Sequence, residues 1–205
     1  MKKTLLTLAL VAVTAASFAQ GKINMVNDIN HLVYFGTTLA PDAALSGQAL
    51  TSVATPSGIT FAVDLYGGAT AGTMTLQQTT TMSATAPGFF GPKTFTSLNL
   101  PGGVQAFLQI KVRDAAFATA ESSLTYKGFS QIFTFNPSGS IAFNSIVVSG
   151  GTALSTWTAG VTPVLGGNPI GAGFGAVQVN AVPEPTSMAL AGIGAAAMVI
   201  FRRRK

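Results

Sequence analysis

The chain reads as an all-β protein: an antiparallel β-sandwich or jelly-roll-like body between an N-terminal signal peptide and one C-terminal transmembrane helix. Three observations predict the body. Ile59, Phe61, Val63 and Leu65 alternate with Thr60, Ala62, Asp64 and Tyr66, the period-two pattern of a half-buried strand. Val104, Ala106, Leu108, Ile110 and Val112 alternate with Gln105, Phe107, Gln109, Lys111 and Arg113 in the same way. Short apolar segments recur along the rest of the chain, and its 23 glycines and 10 prolines fall largely between them. Many short strands punctuated in this manner indicate two packed antiparallel sheets.

The first 19 residues are not part of that body. Met1-Lys2-Lys3 is a positive n-region, Thr4 to Ala16 an apolar h-region, and Ser17-Phe18-Ala19 puts small residues at −3 and −1 of a cut between Ala19 and Gln20. This is a secretory signal peptide, which implies Sec-type export machinery and signal peptidase as partners. Residues 20–159 then form the β-rich domain. Further candidate strands along the chain are Lys22–Asn27, Leu32–Phe35, Thr73–Gln78, Thr94–Leu100, Ser130–Phe135, Ile141–Val148 and Ala176–Val179. Gly67-Gly68, Pro101-Gly102-Gly103, Asn136-Pro137-Ser138-Gly139 and Gly150-Gly151 read as turns between strands. Asp114 to Leu124 is Ala-rich, with Asp114 placed to cap a short helix. Thr79 to Gly91 and Gly160 to Gly175 read as loops. Residues 160–181 are the expected flexible lead-in to the last 24 residues, 182–205.

Charge confirms this division. Of 11 Lys and Arg, Lys2, Lys3, Arg202, Arg203, Arg204 and Lys205 lie at the two ends. Between Gln20 and Val182, Lys22, Lys93, Lys111, Arg113 and Lys127 balance Asp28, Asp42, Asp64, Asp114 and Glu121. The net charge of +5 therefore belongs to the termini, and the body offers no basic patch for nucleic acid. With no cysteine, the exported body must be held by an apolar core rather than disulfides.

The chemistry-bearing residues are few. His31 is the sole histidine, and no Gly-x-Ser-x-Gly elbow accompanies it. One histidine without cysteine excludes the usual zinc ligand sets, so no metal and no cofactor are expected. Asn24, Asn27, Asp28 and Asn30 lack the spacing of a calcium loop and read as turn formers. Gly171-Ala-Gly-Phe-Gly175 lacks the Lys-Ser/Thr of a phosphate loop. Asp114 and Glu121, or Asp64, are the candidates for a glycoside hydrolase, against the plainer reading of a helix cap and a solvated glutamate. Tyr34, Tyr66, Tyr126 and Trp157 are candidate sugar-stacking aromatics, with Tyr66 and Trp157 foremost. The Thr79-Thr80-Thr81 run is a candidate for O-linked sugar, and no Asn-x-Ser/Thr sequon is present.

The tail is more specific. Val182-Pro183-Glu184-Pro185-Thr186-Ser187 opens with two prolines that hold the chain extended. Thr186 to Phe201 carries no charge, and as a helix it would reach roughly 24 Å against a hydrocarbon core of ~30 Å. That is short for a permanent anchor and suits a temporary hold. Arg202-Arg203-Arg204-Lys205 behind it is a cytoplasmic basic anchor by the positive-inside rule. These three ordered features resemble the PEP-CTERM sorting signal, whose tail is also labelled an ice-binding protein C-terminal domain. The resemblance implies recognition by an exosortase, with cleavage near Glu184. Gly21–Asn24, Asp64–Gly68 and Gln109–Asp114 also resemble segments of other PEP-CTERM ectodomains, without implying an activity. The leading expectation is a non-enzymatic cell-surface or extracellular-matrix protein, passing through an inner-membrane intermediate. Its alternatives are a carbohydrate-binding module held in extracellular polysaccharide and, behind it, a glycoside hydrolase.

Overall fold

The computed structural model describes residues 20–36, 38–53, 55–56, 59–147, 155–160, 175–183 and 193. The signal peptide through Ala19, the motif from Glu184 to Ser187 and the basic tail Arg202 to Lys205 lie outside the described residues, as does the apolar run apart from Ile193. The described residues contain no helix long and apolar enough to cross a membrane.

The described residues form ten strands and one short 3-10 helix: β1 (Gln20–Met25), β2 (Val33–Phe35), the helix (Ala40–Leu45), β3 (Phe61–Gly68), β4 (Thr75–Thr81), β5 (Lys93–Pro101), β6 (Ala106–Asp114), β7 (Tyr126–Phe129), β8 (Phe133–Phe135), β9 (Asn144–Ser145) and β10 (Val177–Ala181). The fold is all-β, as the alternation predicts. One sheet has the order β5-β1-β9, and the other runs β2-β10-β7-β6-β3-β4 with β8 also on β6. The pairing is mostly antiparallel, but β10–β2 and β1–β9 are parallel. This departs from the purely antiparallel expectation. Those partners are far apart in sequence, so no hairpin turn dictates their direction.

Both sheets bury their inner faces in one core. Ile23 and Met25 of β1 and Leu100 of β5 meet Val63 and Leu65 of β3, Leu108 and Ile110 of β6, and Val177 and Val179 of β10. Strand β6 alternates buried and half-buried residues along its whole length, because its outer positions Phe107, Gln109, Lys111 and Arg113 stay on the far face of the sheet. Strand β3 does not alternate: Ala62 and Asp64 are buried as well as Val63 and Leu65. On the outer face, Asp64 is covered by side chains from the neighbouring strands, Thr79 of β4 and Arg113 of β6, which both hydrogen-bond to it.

Four local expectations change. Gly67 and Gly68 are the end of β3 rather than its turn. A Cβ on Gly67 would lie 2.8 Å from both Leu100 and Leu108, so the glycine marks a close approach of the two sheets. The turn follows, closed by Thr70 and Thr73 whose hydroxyls lie 2.9 Å apart. Thr79 to Thr81 are strand, consistent with β-branched side chains at a sheet edge. Strand β7 has no counterpart among the predicted strands. Finally, residues 115–124 form turns instead of a helix. Asp114 does accept the Ala116 N–H (2.9 Å), but Thr119 and Ser122 then hydrogen-bond each other's backbone, which diverts those groups from helical pairing.

Candidate functional site

The C-terminal segment leaves the body from the interior of the larger sheet. Strand β10 lies between β2 and β7, with Gln178, Val179, Asn180 and Ala181 opposite Phe129, Gly128, Lys127 and Tyr126. Gly128 is required there, since a Cβ would lie 2.4 Å from the Gln178 carbonyl oxygen. The pairing continues one residue past the strand, where the Val182 N–H donates to the Thr125 carbonyl (2.8 Å). Only after that does Pro183 turn outward to solvent. Lys127, Phe129, Gln178, Asn180, Val182 and Pro183 line a surface hollow of about 490 Å³ at this exit.

Aromatic packing anchors the same end. Phe35, Phe61 and Tyr126 meet edge-to-face, with centroids 5.8 to 6.2 Å apart, each pair worth about 0.5–1.5 kcal/mol beyond its burial. The buried Tyr126 hydroxyl donates to Asp42 Oδ2 (2.7 Å) and accepts the Leu39 N–H (3.1 Å), tying in the 3-10 helix. Burial, offset by the Leu39 N–H and reinforced by the Asp42 carboxylate, pushes the phenol up to about 12.

The expected flexible lead-in is interrupted by this strand. Gly160 donates to the Asn30 carbonyl (2.7 Å), and a Cβ on it would lie 2.0 Å from the Gly175 carbonyl carbon. Gly160 and Gly175 therefore lie side by side, and residues 177–181 belong to the sheet.

The outer face of the larger sheet carries the polar groups. Asp64 is fully buried between Arg113 Nε (2.6 Å) and Thr79 Oγ1 (2.7 Å). Arg113 Nη1 also donates to the Phe117 carbonyl, which fastens the loop after β6. Lys111 pairs with Glu121 and stands 4.1 Å from the centroid of the Tyr66 ring. Burial raises the Glu121 carboxyl, but the hydrogen bond and charge of Lys111 outweigh it and leave the group below its ordinary value. Burial, and the negative charges of Asp64 and Glu121, push the Tyr66 phenol up.

These contacts place each of the candidate side chains. Asp114 accepts from the Ala116 N–H and the Thr125 hydroxyl (both 2.9 Å), whereas Glu121 is held by Lys111. The two do not converge on a common site, and Asp64 is spent on Arg113. Trp157 is 4 % exposed. Phe133 stacks on its ring at 5.1 Å and 6°, and His31 packs at 4.7 Å. Trp157 therefore presents no open ring face to a sugar, which corrects the stacking expectation. Tyr66 keeps partial exposure, with one side taken by the Lys111 ammonium. His31 sits between Asp28 Oδ1 (2.6 Å) and the Trp157 carbonyl (3.0 Å), a packing role. Asn27 bridges the His31 and Gly88 carbonyls and the Phe90 N–H, locking two loops together.

Sequence reasoning found the motif itself but missed the strand register that fixes where it emerges. Compared with protein families, the chain matches the PEP-CTERM protein-sorting motif over residues 181–205. Comparison with curated proteins and with solved structures returned no match. The matched stretch begins at Ala181, the last residue of β10, so the fold and the sorting signal share a residue.

Proposed function

We propose that this chain, which carries a PEP-CTERM sorting motif, is an exported, non-enzymatic surface or matrix protein sorted by an exosortase. The observation that carries this reading is the motif match at residues 181–205, joined without a spacer to a folded body whose carboxylates are each tied to a partner. Export by a Sec-type route and removal of residues 1–19 by signal peptidase precede sorting. The uncharged run from Thr186 to Phe201 inserts in the inner membrane, with Arg202 to Lys205 held on the cytoplasmic side. Exosortase then cuts near Glu184 and separates the body from its anchor. Replacing Pro183, Glu184 and Pro185 together by alanine tests this in the native host. The expected result is a body retained in the inner-membrane fraction; a body that reaches the surface or medium unchanged overturns the sorting claim.

A further inference from the structure

The exit of the sorting segment fixes which end of the body meets the membrane. The Val182 N–H is bonded to Thr125, and Pro183, Glu184 and Pro185 are all that separate Val182 from the uncharged run. Three residues span at most about 11 Å. The headgroup layer on one side of a bilayer is roughly 5–8 Å thick. The link is therefore too short to hold the body clear of the lipid.

We propose that the end of the larger sheet formed by the loop 115–125 and the 3-10 helix is a membrane-apposed face, seated on the lipid headgroups until the tail is cut. This rests on membrane insertion of residues 186–201, as argued above. Strand directions place these elements together: β10 ends at Ala181 beside the start of β7 at Tyr126, β6 ends at Asp114, and β3 starts at Phe61. The surface there suits an interface. Ala115, Ala116 and Ala118 are exposed, Leu124 is 57 % exposed, and Ala43 and Ala44 add small apolar groups. Its carboxylates are neutralised or satisfied locally, Asp42 by Tyr126, Asp114 by Thr125 and Glu121 by Lys111. Lys127, on the rim of the hollow beside Pro183, adds a cation that favours anionic headgroups. The face thus combines contact enforced by a short tether with little charge to desolvate.

The chain has no cysteine, so single-cysteine labelling is clean. Full-length protein purified from an exosortase-deficient host is reconstituted in phosphatidylethanolamine–phosphatidylglycerol vesicles, with a polarity-sensitive fluorophore at Ala116→Cys, Leu124→Cys or Ala71→Cys. Ala71 lies in the turn at the far end of β3, roughly 25 Å away along eight strand residues. All three positions are exposed, so the labels leave the core intact. Blue-shifted emission and strong quenching by headgroup-nitroxide lipid are expected at 116 and 124 and not at 71. Equal, water-like emission at all three sites on protein that floats with the vesicles overturns the membrane-apposed face. Protein that fails to float refutes the anchor reading beneath it, a separate outcome.

Discussion

Replacing Arg113 by alanine strands a buried carboxylate. Asp64 is fully buried and receives three hydrogen-bond donors: Arg113 Nε at 2.6 Å, Arg113 Nη2 at 3.4 Å and Thr79 Oγ1 at 2.7 Å. Truncating the arginine leaves only the threonine hydroxyl to solvate the charge. Breaking a buried pair from one side costs about 3–5 kcal/mol, because the remaining ion keeps its desolvation penalty without compensation. Arg113 also holds the Phe117 carbonyl, so the loop after β6 loosens too. Against a total stability of roughly 5–15 kcal/mol this is a large share. At about 2–4 °C per kcal/mol for a body of this size, Tm should fall by roughly 6–20 °C. Urea unfolding of the purified body, followed by tryptophan fluorescence, reads the change, since Trp157 is buried against Phe133. Joint replacement, Asp64→Leu with Arg113→Met, should recover most of the loss, because both ends of the pair become apolar. A loss below 1 kcal/mol for Arg113→Ala, or a double variant as weak as the single one, would refute the reasoning.

Three other perturbations follow from the same geometry. Tyr126 has a folded-state value of about 12 against an ordinary 10, so its contribution is complete below pH 10 and is lost as pH rises from 10 to 12; chemical denaturation across that window should show a steeper decline for the wild type than for Tyr126→Phe. Gly128→Val drives a side chain into the Gln178 carbonyl and should unpair β7 from β10, detected as lost amide-exchange protection at residues 177–182. Trp157→Ala removes a ring packed between Phe133 and His31 and should cost about 3–5 kcal/mol by thermal or urea unfolding; unchanged stability would show that the ring is not part of the core.

The parts of this protein legible in its sequence are those whose physics is local. The alternation in β6 survives because one face meets the core and the other carries Gln109, Lys111 and Arg113. The tail is legible because two prolines, an uncharged run and a basic terminus are all contiguous. Non-local facts stay hidden. Gly128 weakens the strand signal of β7, yet it is there to admit the Gln178 carbonyl from a strand about 50 residues later. Ala-rich residues 115–124 have helical composition, but the Thr119 and Ser122 hydroxyls capture the backbone. Trp157 sits in a polar stretch, Ser155-Thr156-Trp157-Thr158, that suggests exposure. Its burial is decided by Phe133 and His31, which sequence spacing cannot bring to it. For β10 a strand near Ala176–Val179 is legible, but its partners β2 and β7 are hidden for the same reason.

That placement matters for sorting, because a signal bonded to the sheet through Val182 is presented by the folded body rather than by a free linker. It also delays completion of the sheet. Pairing of Val177 with Val33 joins residues about 140 positions apart, a long-range contact whose loop closure must be met before the strand gains its partners.

The central claim is most directly tested by the intact mass of the protein from the native host, with and without its exosortase. The account predicts a wild-type product that begins at Gln20 and ends near Glu184, and a deletion-strain product that retains the chain through Lys205. An identical C-terminus in both strains would contradict it.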